Sequence, residues 1–272
     1  MRTLPVIKAI NHAIKSTTDN IAFAFHISWP WIVMLMPLNI ATNLYVVFNN
    51  LQPERGGQPD MAALGKFFMV SFPLAVASII AYASIAVNWH RYILLDEVPI
   101  GWQRLRVDGL MWRYIGNFIL IFLIVMAAAF GAVIGFVLAG FMLRAIAGET
   151  VTAVILVPAA VALYVYAIMA TYRLSVKLPA VALGRTEFSM TDVWKATEGN
   201  NWRLLGLLGL FLVCLVLVGL ATLLATLVFQ SLGTIGLSIS IAIQVLVNWV
   251  ATILGVTLLT SLYGFFVEGR EF

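Results

Sequence analysis

The sequence predicts an all-α, polytopic membrane protein with six transmembrane helices, built as three tandem two-helix units that each open with an amphipathic helix on the cytoplasmic side. Three observations predict it. Of the 272 residues, 62% are hydrophobic and only 10% are charged, whereas a soluble domain carries about 25% charged residues. The apolar residues gather into six runs, each long enough to cross a hydrocarbon core of about 30 Å. Basic residues concentrate in alternate connections between those runs, and short motifs recur at multiples of ninety residues.

The first segment places Val6, Ile7, Ile10, Ala13, Ile14 and Thr17 on one face of a helical period, with Lys8, Asn11, His12 and Lys15 on the other. It has no continuous apolar core and no A-x-A site, so it reads as a retained amphipathic helix and not as a cleaved leader. Spans follow at about 20–48 and 66–95. They are joined by a turn-rich loop around residues 49–59, with Asn-Asn-Leu-Gln-Pro and Arg-Gly-Gly-Gln-Pro.

After Pro99, the residues Trp102, Leu105, Gly109 and Trp112 recur at spacings of three and four, with Arg104, Arg106 and Asp108 between them, which predicts a second flat helix. The third and fourth spans, about 114–143 and 151–176, flank an external turn at Gly148, Glu149 and Thr150. Ser189-x-x-Asp192 is a short cap signal. It starts a third flat helix carrying Phe188, Val193, Trp194 and Thr197, which Gly199-Asn200 ends because glycine accepts the left-handed backbone of a helix terminus. Spans at about 204–229 and 234–267 complete the six, joined by a tight turn at 230–233. Pro30, Pro37, Pro73 and Pro158 fall inside spans and each removes one backbone donor.

Six crossings put both termini on one side. Of the sixteen Lys and Arg residues, only Arg55, Lys66 and Arg144 fall on the opposite side. The positive-inside rule makes the terminal face cytoplasmic. The formal charge of +4 would suit nucleic acid in a soluble protein, but here it lies along the membrane boundary and implies no nucleic-acid partner. Cys214 is the only cysteine, which excludes an intrachain disulfide.

The whole chain, 1–272, reads as one integral membrane domain with units of about 1–95, 96–177 and 178–272. The pattern K-[SA]-T-x-x-N occurs at Lys15 to Asn20 and again at Lys195 to Asn200, an offset of 180 residues. Trp112-Arg113 and Trp202-Arg203 open two spans at an offset of 90. The units are parallel, which differs from the inverted repeats of many alternating-access transporters.

Written out, Asp192-Val193-Trp194-Lys195-Ala196-Thr197-Glu198-Gly199-Asn200-Asn201-Trp202-Arg203-Leu204 resembles the D-x-W-x-x-T-x-G-N-x-W-R-L pattern of bacterial six-span inner-membrane proteins with a glycerophosphoryl diester phosphodiesterase membrane-domain-like, or YciC-like, region. The upstream stretch from Arg173 to Gly184 is also similar to their end-of-span segment. The resemblance implies the fold and the location. It does not imply hydrolysis, because no segment alternates strands and helices as a phosphodiesterase barrel would.

Candidate functional residues fall into two sets. Trp102, Arg104, Arg106, Trp112, Arg113, Trp194, Lys195, Trp202 and Arg203 lie at the inner boundary, where indole rings settle and basic side chains meet anionic headgroups. Asn39 with Asn43, and Gln244 with Asn248, are four residues apart on single spans; amides in hydrocarbon need partners, so they line a path or bond between helices. His90, Asp96, Glu97 and His26 offer the raw material of an acid–base or metal site, but no ligand spacing supports it.

No Walker loop, dinucleotide fingerprint or nucleophile elbow is present. The expectation is a non-catalytic protein without cofactor or metal. It binds anionic lipid and serves as a membrane-organising or accessory scaffold component, with a membrane-protein partner or a second copy of itself. The alternative is a permease or exporter subunit for a lipid-like or small amphiphilic molecule.

Overall fold

A computed structural model describes residues 2–49 and 61–272. The loop expected around 49–59, with Arg55, lies almost wholly outside the described residues. Every regular element among the described residues is helical. In chain order they are α1 (Val6–Asp19), α2 (Ile21–Phe48), α3 (Met61–Leu95), a 3-10 turn (Gly101–Leu105), α4 (Gly109–Ser175), α5 (Lys177–Ala182), α6 (Met190–Ala196), α7 (Asn201–Gln230) and α8 (Gly233–Phe266). Among the described residues, five helical stretches are long and apolar enough to cross a membrane.

Helix α4 contains 67 residues, which drawn straight would reach about 100 Å. It is not straight. Gly148 has φ 80° and ψ 175°, outside the helical region, in a conformation essentially reserved for glycine. A Cβ built on Gly140 would lie 3.2 Å from Leu156 Cδ1, although sixteen positions along a straight helix span about 24 Å. The chain therefore folds back at Gly148 into two arms, 109–147 and 149–175, and Arg144 pairs with Glu149 across the tip at 3.3 Å.

Buried residues concentrate at the end of the molecule that carries both termini. One cluster joins Ala24, Ile27 and Trp31 of α2, the stretch from Ala81 to Trp89 of α3, and Met111, Tyr114 and Ile115 of α4. A second joins Leu4, Ala9 and Ala13 to Leu204, Leu207, Leu258, Leu262 and Tyr263. Away from this end the helices expose Phe130, Phe141, Val154, Leu212, Leu217 and Val228. Contiguous apolar surface on this scale is unlike a water-soluble monomer and is what a helix presents to lipid.

Helix α1 docks on α8 through small residues. Ala9, Ala13 and Thr17, four apart, form its buried stripe, while Ile7 and Ile14 of the expected apolar face stay exposed. On α8, Thr257, Thr260 and Ser261 each donate their hydroxyl proton to the carbonyl four residues earlier, at 2.7–2.9 Å. A hydroxyl has one proton, so each of these oxygens is left as an acceptor. Thr17 Oγ1 donates to Thr257 at 3.0 Å. His12 Nδ1 faces Ser261 at 3.1 Å and His90 Nδ1 faces Thr260 at 2.8 Å, which fixes both imidazoles with the proton on Nδ1.

The segment after Pro99 corrects one expectation. The predicted flat helix is instead a 3-10 turn, Gly101–Leu105, separated from α4 by a break at residues 106–108. Asp108 causes the break, because its carboxylate caps α4 by accepting from the amides of Leu110 and Met111 at 3.0 Å. In the third segment Ser189 and Asp192 cap each other reciprocally at the start of α6, and Gly199 takes φ 75° after it.

Candidate functional site

The terminal end is assembled by arginines and asparagines that reach across the sequence. Arg173, at the end of α4, is 3% exposed and no carboxylate pairs with it among the described residues. Its Nε donates to Thr197 Oγ1 at 2.9 Å and Nη1 to Asn201 Oδ1 at 2.9 Å, while Nη2 bonds the Trp194 carbonyl. The guanidinium lies 3.7 Å from the centre of the Trp194 ring. Neutral oxygens and one π-face thus solvate a buried cation.

Asn200, 2% exposed, performs the second linkage. Its Oδ1 accepts from Leu4 N at 2.8 Å and its Nδ2 donates to Arg2 O at 2.9 Å. Arg203 adds a bond to Leu4 O at 3.0 Å. Most of the W-x-x-T-x-G-N-N-W-R stretch is therefore occupied in joining α4, α7 and the amino-terminal segment.

Behind α3, Asp96 adopts φ 56°, so the chain turns sharply and Glu97 comes back to the helix end. The Glu97 carboxylate bonds Arg91 and, at 2.8 Å, Arg106. These bonds, Arg91 first, hold its pKa below the ordinary carboxylate value against the opposing effect of burial. Arg106 also donates to Asn88 Oδ1 at 2.8 Å and lies 3.4 Å from Asp108. On the other side of the termini, Glu268 bridges Arg185 and Arg270 at 2.9 and 2.7 Å.

The expected boundary residues consequently divide. Trp102 and Trp202 are 87% and 84% exposed and Trp112 is half exposed; Arg113, Lys195 and Arg203 are exposed at the same end. Arg104 is partly buried, with its Nε unpartnered and its carbonyl accepting from Asn88. Arg106 and Trp194 differ from the others in that their polar and ring surfaces are engaged inside the protein by Glu97, Asn88 and Arg173. Arg173 was missed as a site residue: sequence placed it at a span end and gave no signal of its partners in the segment around Trp194 and Thr197.

No hydrogen bond joins the two pairs of intramembrane amides among the described residues. Asn43 Nδ2 donates to Asn39 Oδ1 at 2.9 Å within α2, and Gln244 and Asn248 are exposed along α8. Larger spaces lie elsewhere. One of about 300 Å3 lies between α1, α7 and α8, lined by Ile10, Ile14, Phe211, Cys214, Val250 and Leu254. Another of about 560 Å3 lies between the arms of α4, bounded by Val125, Leu163, Tyr166, Met190 and Trp194. Both are almost wholly apolar.

The titratable groups considered for catalysis are separated by their partners. His90 is fully buried between Thr260 and Tyr114, whose hydroxyl lies 3.4 Å from Nε2, while Glu97 is held by the two arginines. No group of three or more His, Cys, Asp or Glu side chains is placed to hold a metal among the described residues. The chain matches no family model, no curated protein and no solved structure.

Proposed function

We propose that the chain is a non-catalytic, six-span protein of a bacterial inner membrane, with both termini cytoplasmic, that gathers anionic lipid at its terminal face and acts as a membrane-organising or accessory component of a complex. The observation carrying this reading is the exposure of Trp102, Trp112 and Trp202 together with Arg113, Lys195 and Arg203 at the end where arginine and asparagine hydrogen bonds join the helices. Indoles favour the water–lipid boundary, and each basic residue there contributes about 1 kcal/mol toward anionic headgroups. The fold-back at Gly148 supports six crossings over five, because it gives α4 two arms of spanning length. The three tandem units and the kinship suggested by the W-x-x-T-x-G-N-N-W-R stretch belong to the same reading.

The test is lipidomics of polymer-bounded native nanodiscs. The wild type is expected to carry anionic lipid above the bulk membrane fraction, and joint replacement of Arg113, Lys195 and Arg203 by Gln to remove the excess. A lipid shell identical to bulk in both proteins would refute the reading. The apolar spaces favour one alternative, a permease for a lipid-like amphiphile. Substrate-dependent flux in proteoliposomes would establish it in place of the scaffold.

A further inference from the structure

A small cavity of about 100 Å3 at the terminal end is bordered by Arg113, Asn117, Lys177, Val181, Gly184, Arg185 and Thr186. Three of these side chains are cations and none is an acid. Their convergence follows from local structure. Arg113 and Asn117 are one turn apart on α4, with the Asn117 amide donating to the Arg113 carbonyl at 2.9 Å. Lys177 opens α5, and Gly184 at φ 80° ends it, the Arg185 amide bonding back to Ala180 O at 3.0 Å. That left-handed turn brings Arg185 and Thr186 back over the same cavity.

The charges there are only partly balanced. Arg185 is oriented by Tyr263 at 2.6 Å and Glu268 at 2.9 Å through one nitrogen, Nη1. Among the described residues no carboxylate lies within 4 Å of the Arg113 or Lys177 nitrogens. Asp192 feels the field of Lys177, but its carboxylate caps α6 through Ser189 and does not line the cavity. Three cations around one confined space repel each other and favour an oxyanion between them. The volume matches about three waters at ~30 Å3 each, the scale of a single tetrahedral anion and too small for a nucleotide.

We propose that Arg113, Lys177 and Arg185, with Asn117 and Thr186, hold one phosphate group. Its source is an anionic phospholipid headgroup or free phosphate. The lipid source rests on the preceding reading, in which this end lies at headgroup depth. It is favoured by exposed Trp112, the sequence neighbour of Arg113, and by an apolar groove of about 350 Å3, lined by Ile79, Tyr82, Ile115 and Phe118, on another face of the same turns of α4, where acyl chains would lie.

The experiment uses the full chain in detergent and compares wild type with Arg113→Gln/Lys177→Gln. Native mass spectrometry follows phosphatidylglycerol against phosphatidylcholine, and thermal unfolding follows inorganic phosphate against chloride at equal ionic strength. For a lipid site, the wild type keeps one phosphatidylglycerol that the double variant binds about thirtyfold more weakly. If the double variant does not fold, Lys177→Gln alone, at a partly exposed position, is expected to weaken binding about fivefold. A phosphate-specific stabilisation lost in the variant, without phosphatidylglycerol preference in the wild type, retains the site, assigns it to free phosphate and refutes the lipid reading. Equal phosphatidylglycerol binding by both proteins, with no phosphate effect, overturns the site. The lipid reading would survive that result if Lys195→Gln/Arg203→Gln lowers the preference.

Discussion

Removing the Arg173 side chain should be among the most damaging single changes outside the apolar core. Arg173→Ala deletes three hydrogen bonds, two of them at 2.9 Å, and the stacking on Trp194 at 3.7 Å, and it leaves Thr197 and Asn201 facing a void. Hydrogen bonds to charged groups contribute about 1.5–3 kcal/mol each but do not add fully, and a desolvated cation–π contact adds about 2 kcal/mol. The deleted charge also no longer has to be buried, which offsets part of the loss. A net cost of about 3–5 kcal/mol follows.

For a chain of this size that corresponds to a fall in Tm of roughly 6–20 °C, measurable by fluorescence-detected size exclusion after heating in detergent. Arg173→Lys keeps the charge but lacks the planar fork, so its loss should be intermediate. An Arg173→Ala protein melting within about 2 °C of wild type would refute the view that this residue joins α4 to α7.

Three further outcomes are expected. Asn200→Ala should release residues 2–4, at a cost of about 2–3 kcal/mol for two lost bonds; hydrogen exchange at the Leu4 amide should accelerate while α3 is unchanged. Gly148→Val should cost about 1–3 kcal/mol by backbone strain alone, since open space surrounds the position; an unchanged Tm would contradict the fold-back. The pKa of His12 is lowered, first by burial and then by Lys15, from an ordinary 6.5. The unfolded chain therefore takes up the proton first. The stabilising contribution is complete above pH 6.5 and declines as pH falls below that toward the lower folded value. Thermal midpoints measured from pH about 7.5 to about 5.5 should fall less in His12→Gln than in wild type.

The apolar runs located the long helices to within a few residues because lipid imposes one requirement on every position: 20–48 became Ile21–Phe48, and 204–229 became Asn201–Gln230. Turn chemistry was equally readable at Gly148 and at Ser189-x-x-Asp192, where the controlling atoms are sequence neighbours. Arg106 and Arg104 could not be separated in the same way. They stand two residues apart in the same charge pattern, yet the side chain of Arg106 meets Glu97 and Asn88 while that of Arg104 bonds neither. That difference arises from the backward turn at Asp96, which no periodicity encodes. The Arg113, Lys177 and Arg185 cavity was hidden for a similar reason, since Lys177 lay in the stretch from Arg173 to Gly184 read as similar to an end-of-span segment and Arg185 followed it.

The clamp on residues 2–4 also bears on how the protein is made. Leu4 is bonded to Asn200, 196 positions later, and at a synthesis rate of about 5–20 residues per second that partner emerges roughly 10–40 s after it. Throughout that interval residues 2–4 lack the side chains of Asn200 and Arg203, and α1 lacks the hydroxyls of α8. Helix α1 precedes its packing partners in the chain, so it can take its place only after α7 and α8 have been made.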